Sequence, residues 1–171
     1  DVWRQLYLAI EAVFHSWNTP RAQTYREVEG ISDDLGTAVT VQAMVFGNMG
    51  ENSGTGVLFT RNPSTGADEL FGDFLPDAQG EDVVSGSHKT LGLEEMEEIA
   101  PEVFQELKEV AELLENASTD MCDIEFTVEE KKLWILQSRV GKRTPTAAIR
   151  IAVEMATDPD FPLTRQEAMD R

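Results

Sequence analysis

A pair of alternating segments joined by a short charged loop constrains the fold of this chain more than any other feature of its sequence. Residues 121–127 alternate in character, so that in a strand Asp123 and Glu125 point to one face while Ile124 and Phe126 point to the other. A second segment of strand-forming residues follows after the loop. The pattern predicts an antiparallel β-hairpin with one apolar face and one acidic face.

The loop length decides which residues of the returning strand, 133–139, share the face of the two acids. Simple alternation places Gln137 and Arg139 on one face together with Leu133 and Ile135. A three-residue loop, 129–131, would put Asp123 opposite Gln137, with Arg139 one step along. A two-residue loop would separate the acids from Gln137 and Arg139, because directly opposed residues lie on the same side of a sheet. The four polar side chains therefore meet only if the turn is odd in length.

With an odd turn, one sheet face would gather two carboxylates, an amide and a guanidinium. Mg²⁺ takes oxygen ligands and keeps waters while it bridges substrate phosphates, which suits Glu125 and Gln137 as metal ligands. An arginine beside such a metal can stabilise charge on a transferring phosphoryl group, and Arg139 has that position. The alternative is a surface ion pair across a solvent-facing hairpin, such as Asp123 with Arg139.

Charge and composition exclude several classes of function. The 171 residues include 32 acidic and 14 basic side chains, for a formal net charge of -18. Nucleic acid is not an expected partner, because phosphate-backbone binding needs a basic face. An acidic surface commonly serves solubility, and divalent-metal binding is the more specific alternative. No run approaches the roughly 18 to 20 apolar residues of a membrane span, so no membrane is expected as a partner. The single cysteine, Cys122, fits a reducing compartment such as the cytoplasm or an organellar stroma.

The remaining patterns predict an α+β fold. Helices are expected at 2–17 and 20–28, from Pro101 onward and from Pro145 onward, and a capping box of Thr164 with Glu167 predicts a further helix near the end. Strands are expected at 37–46, 57–61 and 69–75. The loop 48–56 contains three glycines, lacks the Gly-Lys-Ser/Thr ending of a Walker A loop, and alone is typical of a flexible hairpin loop. The glycine-rich segment 80–92 is expected to be irregular.

Four runs of the sequence are distinctive when they are taken together: VQAMVFGNMGENSGTGVLFTRNPSTG, LFGDFLPDAQGEDVVSG, DIEFT and LQSRVGKRT. With these runs, the chain resembles the pyruvate, phosphate dikinase family over essentially its whole length. The resemblance implies the carboxy-terminal part of an ATP-grasp domain, a mainly antiparallel sheet with flanking helices. It implies a helical segment at 1–30, a nucleotide-binding subdomain at 31–141, and a helical linker at 142–171 toward a phosphohistidine domain. The family reaction turns ATP, phosphate and pyruvate into AMP, pyrophosphate and phosphoenolpyruvate, and the whole enzyme is expected to be a homodimer.

The resemblance also implies roles for individual residues. Glu81 would lie on the nucleotide, and the phosphate end would hold Mg²⁺ and the ATP phosphates. The adenine contacts would be Gln42, Ala43, Met44 and Val45; Asp123 would contact the nucleotide; Glu125 and Gln137 would bind Mg²⁺; and Arg139, Glu125 and Gln137 would be catalytic.

Two departures and two alternatives accompany the resemblance. Lys131 occupies a turn position where the family usually has glycine, and residues 85–90 stray from the usual pattern. The subdomain that carries the phosphate-holding lysine and arginine, and the carrier histidine itself, are expected outside these residues, so the chain alone would be inactive. A phosphoenolpyruvate synthase, which uses water in place of phosphate, and a non-catalytic binding module of ATP-grasp shape are the alternatives.

Overall fold

A computed structural model describes residues 1–85 and 88–170 of the chain, which forms two compact units, Asp1–Met44 and Val45–Arg171. The first unit contains helices α1 (Val2–Ser16) and α2 (Pro20–Glu29), followed by a 3₁₀ turn, Asp33–Leu35. Both predicted helices are confirmed. Thr19 caps α2 by accepting a hydrogen bond from the backbone of Ala22, and Gly30 ends the helix in the left-handed conformation.

A five-stranded antiparallel sheet forms the centre of the second unit. The strands lie in the order β3 (Leu91–Gly92), β2 (Phe71–Pro76), β1 (Gly54–Phe59), β4 (Cys122–Glu129) and β5 (Lys132–Val140). The predicted α+β class with a mainly antiparallel sheet is therefore confirmed.

The strand predicted at 37–46 is absent, since the structure gives this segment no regular secondary structure. Val41 and Phe46, which contributed to the prediction, are exposed. Strand propensity measures how well side chains fit a pleated, half-buried surface. This segment belongs to no ladder of the described sheet and so has no such surface.

One face of the sheet, here called the core face, is covered by two helices, α4 (Leu93–Ile99) and α5 (Pro101–Ser118). Helix α5 was predicted from its apolar stripe, whereas α4 was not predicted. The same face carries alternate residues of β1 and β4, and the buried cluster contains Leu58, Ile124, Phe126 and Val128 from the strands with Leu93, Met96, Phe104 and Leu107 from the helices. A second buried cluster joins Met121 to α6 (Pro145–Thr157) and α7 (Arg165–Met169), through Ala147, Ile151, Met155 and Leu163.

Two glycines that the sequence places in a flexible loop belong to strand β1 instead. Gly54 and Gly56 lie on the core face, where a Cβ would come within 2.3 Å of the Phe74 ring and 2.5 Å of the Phe126 ring, respectively. The two rings are stacked with centroids 6.2 Å apart. These glycines therefore make room for an aromatic pair, and the strand begins three residues earlier than predicted.

The turn between β4 and β5 has two residues, so the expected three-residue loop is wrong. Glu129 pairs with Lys132, and the turn residues Glu130 and Lys131 have φ of 49° and 70°. Positive φ at both central positions is the requirement of a type I′ turn, which matches the twist of a hairpin. Lys131 thus adopts the left-handed conformation at a turn position.

A β-bulge then reverses the consequence of the short turn. Phe126 pairs with Ile135, but Glu125 pairs with Gln137, so that Leu136 is left without a partner across the ladder. The extra residue breaks simple alternation. The expectation that Gln137 shares a face with Ile135 is therefore wrong.

Candidate functional site

Beyond the bulge, the hairpin presents its four polar side chains on one face, here called the site face. Glu125 lies opposite Gln137, and Asp123 lies opposite Arg139. Opposed residues of an antiparallel pair project to the same side, and alternation along β4 puts Asp123 with Glu125 on the face away from the core. The grouping predicted from the sequence is present, although the turn and the bulge that produce it differ from the predicted odd turn.

Arg139 is held by the nearly buried carboxylate of Asp123. The Nε and Nη2 atoms of Arg139 each lie 2.8 Å from Oδ2 of Asp123, and Nη2 lies 4.0 Å from Oε1 of Glu125. The hydrogen bond to Asp123, followed by the charge of Asp123, raises the pKa of Arg139 above its usual value. The guanidinium side chain is 55% exposed, so it is a fixed, charged donor group that faces solvent.

A cleft of about 440 Å³ opens on the site face next to Glu125. Its wall opposite the hairpin is the short helix α3 (Gly80–Val84), which brings Glu81 to the same cleft as Glu125. The complete lining is Thr55, Gly56, Val57, Gly80, Glu81, Val83, Glu125, Phe126 and Leu136. Two carboxylates and an apolar wall therefore bound one concave site, which is the usual composition of a small-molecule pocket.

Helix α3 lies where the sequence was expected to be irregular. The Asp82 carboxylate accepts a hydrogen bond from the backbone N–H of Gln79 at 2.9 Å, which fixes the start of the helix. The Gln79 side chain in turn accepts from the backbone of Gly47 at 3.3 Å. The divergent segment 85–90 includes residues 86 and 87, which lie outside the described residues.

The hairpin turn is bonded to the loop that precedes β1. The backbone N–H of Lys131 donates to the carbonyl of Asn52 at 2.8 Å, and that of Glu130 donates to the hydroxyl of Ser53 at 3.0 Å. The Glu129 carboxylate accepts from the backbone of Phe46 at 2.9 Å. Loop and turn form one hydrogen-bonded unit at the end of the sheet.

The structure places the predicted adenine segment outside regular secondary structure. Gln42, Ala43 and Met44 end the first unit and are exposed, and Val45 begins the second unit and is half-buried. Their assignment stays a prediction.

Of the residues that line the cleft, the sequence reasoning named only Glu81 and Glu125 as site residues, and Thr55, Val57 and Leu136 are among those it missed. Thr55 and Val57 alternate with Gly54 and Gly56, and starting β1 at Gly54 would have placed them on the face of Glu125. Leu136 lines the cleft next to the bulge, and no pattern of alternation predicts a bulge.

The oxygen atoms of Glu125 and Gln137 on the hairpin are suitable ligands for an Mg²⁺ ion that is also bound by its substrate. Glu125, 43% exposed in its side chain, and its neighbour Gln137 offer a carboxylate and an amide oxygen from opposed positions. Within residues 1–85 and 88–170, no group of three His, Cys, Asp or Glu side chains is arranged to hold a metal ion. A site with one or two protein oxygens is the common arrangement when Mg²⁺ keeps waters and binds phosphate oxygens.

A helix-covered antiparallel sheet whose other face carries an acidic cleft defines the class as an α+β domain with a candidate ligand site on its sheet. Comparison with known proteins identifies the family. The family described as "Pyruvate phosphate dikinase, AMP/ATP-binding domain" matches residues 3–91 and 89–158, and this chain belongs to it.

Curated relatives agree with this assignment. The chain is 56% identical over 158 residues to "Pyruvate, phosphate dikinase, chloroplastic" of Flaveria trinervia, covering 92% of the chain and 17% of the relative. It is 57% identical over 155 residues to "Pyruvate, phosphate dikinase 1, chloroplastic" of Arabidopsis thaliana, covering 91% and 16%. It is 53% identical over 163 residues to "Pyruvate, phosphate dikinase" of Rickettsia conorii, covering 92% and 19%. The chain thus spans less than a fifth of the length of these relatives. Among the described helices, none is long and apolar enough to cross a bilayer.

Proposed function

We propose that this chain forms part of the ATP-binding domain of a pyruvate, phosphate dikinase and that its site face holds the phosphate end of Mg-ATP. The complete enzyme would convert ATP, phosphate and pyruvate into AMP, pyrophosphate and phosphoenolpyruvate. The observation that carries the proposal is the arrival of Arg139, Gln137 and Glu125 on one face, beside a cleft that also contains Glu81. The names of the relatives support the choice of reaction.

Arg139 would bind and stabilise the transferring phosphoryl group. Asp123 already holds the Nε and Nη2 atoms of the Arg139 guanidinium. Ligand binding would therefore not have to order a free arginine side chain. An arginine carries five N–H donors, and those that Asp123 does not use can reach phosphate oxygens. A guanidinium is charged at every physiological pH, and the contact with Asp123 raises the pKa of Arg139 further.

Glu125 and Gln137 would hold Mg²⁺, and the bound ion would neutralise charge on the ATP phosphates. An acidic site needs this cation, because Glu81, Asp123 and Glu125 would otherwise face an anionic nucleotide. Glu81 would lie against the nucleotide, and Gln42, Ala43, Met44 and Val45 would contact the adenine.

Further parts of the proposal concern the rest of the enzyme. A carrier histidine on another domain would accept the phosphoryl group, residues 142–171 would lead toward that domain, and the whole enzyme would be a homodimer. Its location would be the cytoplasm or an organellar stroma, and the plant relatives are named as chloroplastic.

The test is Arg139→Ala in the complete enzyme, followed by two measurements. Single-turnover formation of AMP from ATP should fall by about 10²-fold or more, because a charge-stabilising donor acts mainly in the transition state. The dissociation constant for Mg-ATP should change by less than about tenfold.

The matched control is Lys142→Ala, which removes an exposed cation three residues farther along the chain. It should leave both quantities unchanged. Normal single-turnover rates in Arg139→Ala would reduce the hairpin to a scaffold. Production of phosphoenolpyruvate without added phosphate would favour the synthase instead of the dikinase.

A further inference from the structure

Two large apolar side chains are exposed on the site face of β5, beside the residues proposed to hold phosphate and metal. Trp134 is 37% exposed and Leu136 is 49% exposed. Leu136 lines the cleft that also contains Glu81 and Glu125. Neither side chain offers a charge or an oxygen atom to phosphate or Mg²⁺. Both are therefore suited to an uncharged part of a ligand.

The register of the hairpin puts the Trp134 ring on the site face. Trp134 pairs with Thr127, which alternates with Glu125 along β4. The hydroxyl of Thr127 lies 3.3 Å from the hydroxyl of Thr55, a residue that lines the cleft. Because directly opposed residues project to the same side of a sheet, the Trp134 ring lies at the end of the cleft that is nearer the hairpin turn.

The chemistry of the site face changes in one direction along β5. From the turn toward the end of the strand come Trp134, Leu136, Gln137 and Arg139, which are two apolar groups, an amide and a guanidinium. Trp134 and Arg139 are five positions apart, which corresponds to at most roughly 16 Å of strand. An extended nucleoside triphosphate is comparable in length, with a planar uncharged base at one end and charged phosphates at the other. The strand matches both ends of such a molecule.

The Trp134 ring still has surface to offer to a base. The ammonium of Lys132 lies 4.0 Å from the ring centroid and covers one face of the ring. The residue is 37% exposed with that lysine in place. Aromatic side chains stack on nucleobases because every base has a π-face, and one face of the ring is enough for this contact.

A separate contact brings part of the proposed adenine segment to the same end of the hairpin. The carboxylate of Glu129 accepts a hydrogen bond from the backbone N–H of Phe46 at 2.9 Å. Glu129 pairs with Lys132, two positions before Trp134. Val45, which is proposed to contact the adenine, directly precedes Phe46 in the second unit. The base end of the nucleotide is therefore expected near the turn, which is the end where Trp134 lies.

We propose that Trp134 is the platform on which the purine base of the nucleotide stacks, with Leu136 packed between the base and the phosphate end. This inference rests on the proposed function, because it needs the phosphates of Mg-ATP at Gln137 and Arg139. It adds the position of the base and a residue that binds it. Trp134 binds the nucleotide before and after the reaction alike and takes no part in phosphoryl transfer.

The experiment is Trp134→Ala in the complete enzyme, with dissociation constants for Mg-ATP, AMP and Mg-pyrophosphate measured by titration calorimetry. The affinities for Mg-ATP and AMP should fall by the same factor, about fivefold or more, because both ligands carry the base. The affinity for Mg-pyrophosphate should not change, since it has no base, and this unchanged value also shows that the variant site is folded. The single-turnover rate at saturating Mg-ATP should change by less than about twofold.

Two further variants sharpen the result. Trp134→Phe keeps an aromatic ring and should keep most of the affinity for AMP, but AMP should no longer quench the tryptophan emission that it quenches in the unmodified enzyme. The matched control is Val140→Ala, because Val140 is 56% exposed on the same strand but lies opposite Cys122 on the core face. It should leave all three dissociation constants unchanged.

Two results would overturn this inference while leaving the proposed function in place. One is an unchanged affinity for AMP in Trp134→Ala, and the other is an equal loss of affinity for AMP and Mg-pyrophosphate, which would mean that the variant disturbs the whole site. Both would be compared with Arg139→Ala, in which AMP formation is expected to slow. Normal AMP formation in Arg139→Ala would overturn the proposed function, and this inference with it.

Discussion

Replacing Lys131 by glycine should stabilise the protein, because the residue has φ of 70° in a two-residue turn. A non-glycine residue in the left-handed region costs roughly 1 to 2 kcal/mol. Glycine avoids that cost but loses about 0.5 to 1 kcal/mol through the greater freedom of the unfolded chain. The two ranges leave a net gain in the free energy of unfolding of up to about 1.5 kcal/mol, centred on about 0.75 kcal/mol. The hydrogen bond from the Lys131 backbone to Asn52 survives the change, since it does not involve the side chain.

Guanidinium unfolding followed by tryptophan fluorescence measures this effect as a higher midpoint with an unchanged m-value. Lys132→Gly is the matched control, because Lys132 lies in β5 with extended backbone and its ammonium covers the Trp134 ring at 4.0 Å. That variant should lower the midpoint. A lower midpoint for Lys131→Gly would refute the two-residue turn and, with it, the register of the hairpin.

Two further changes test the packing of the second unit. Gly56→Ala should destabilise the protein by about 1 to 3 kcal/mol. The reason is that the new Cβ would meet both the Phe126 ring and the carbonyl of Asp73, which is 2.6 Å away. An unchanged melting temperature would contradict this prediction, because it would show that the sheet adjusts freely. Asp120→Asn should lower the free energy of unfolding by about 3 kcal/mol, because Asp120 binds both terminal nitrogens of the largely buried Arg143, at 2.6 and 2.8 Å. Chemical unfolding would measure this loss. A change below about 0.5 kcal/mol would contradict the prediction.

The sequence predicts much of the fold because most of its local signals agree with each other. Thr19 with Pro20 and Thr144 with Pro145 mark helix starts that the structure contains, and alternation from Ile124 to Phe126 identifies strand β4. These signals depend only on neighbouring residues.

Features that depend on distant partners were not predictable in the same way. The strand expected at 37–46 had suitable residues but no ladder to join, and Gly54 looked like a loop residue because its aromatic neighbour Phe74 lies twenty positions away. Helix α3 forms from a glycine-rich segment that Gln79 and Asp82 help to fix.

The candidate site shows how a correct grouping can follow from an incorrect step. An odd turn was expected to place Gln137 opposite Asp123, whereas the structure places Gln137 opposite Glu125 and Arg139 opposite Asp123. The shared face is nevertheless the predicted one, and it results from an even turn and one unpaired residue, Leu136. Turn length and bulge each shift alternation by one residue, so their effects cancel. Alternation alone cannot distinguish one shift from the other.

The central claim is that the site face binds the phosphates of Mg-ATP, and the Mg²⁺ dependence of AMP formation in Glu125→Gln tests it most directly. In the complete enzyme, the Mg²⁺ concentration for half-maximal single-turnover rate should rise by about tenfold or more, because one of two protein oxygen ligands loses its charge. Glu129→Gln, which alters a carboxylate at the turn end of the same strand, should leave that concentration unchanged. Unaltered Mg²⁺ dependence in Glu125→Gln would contradict the account.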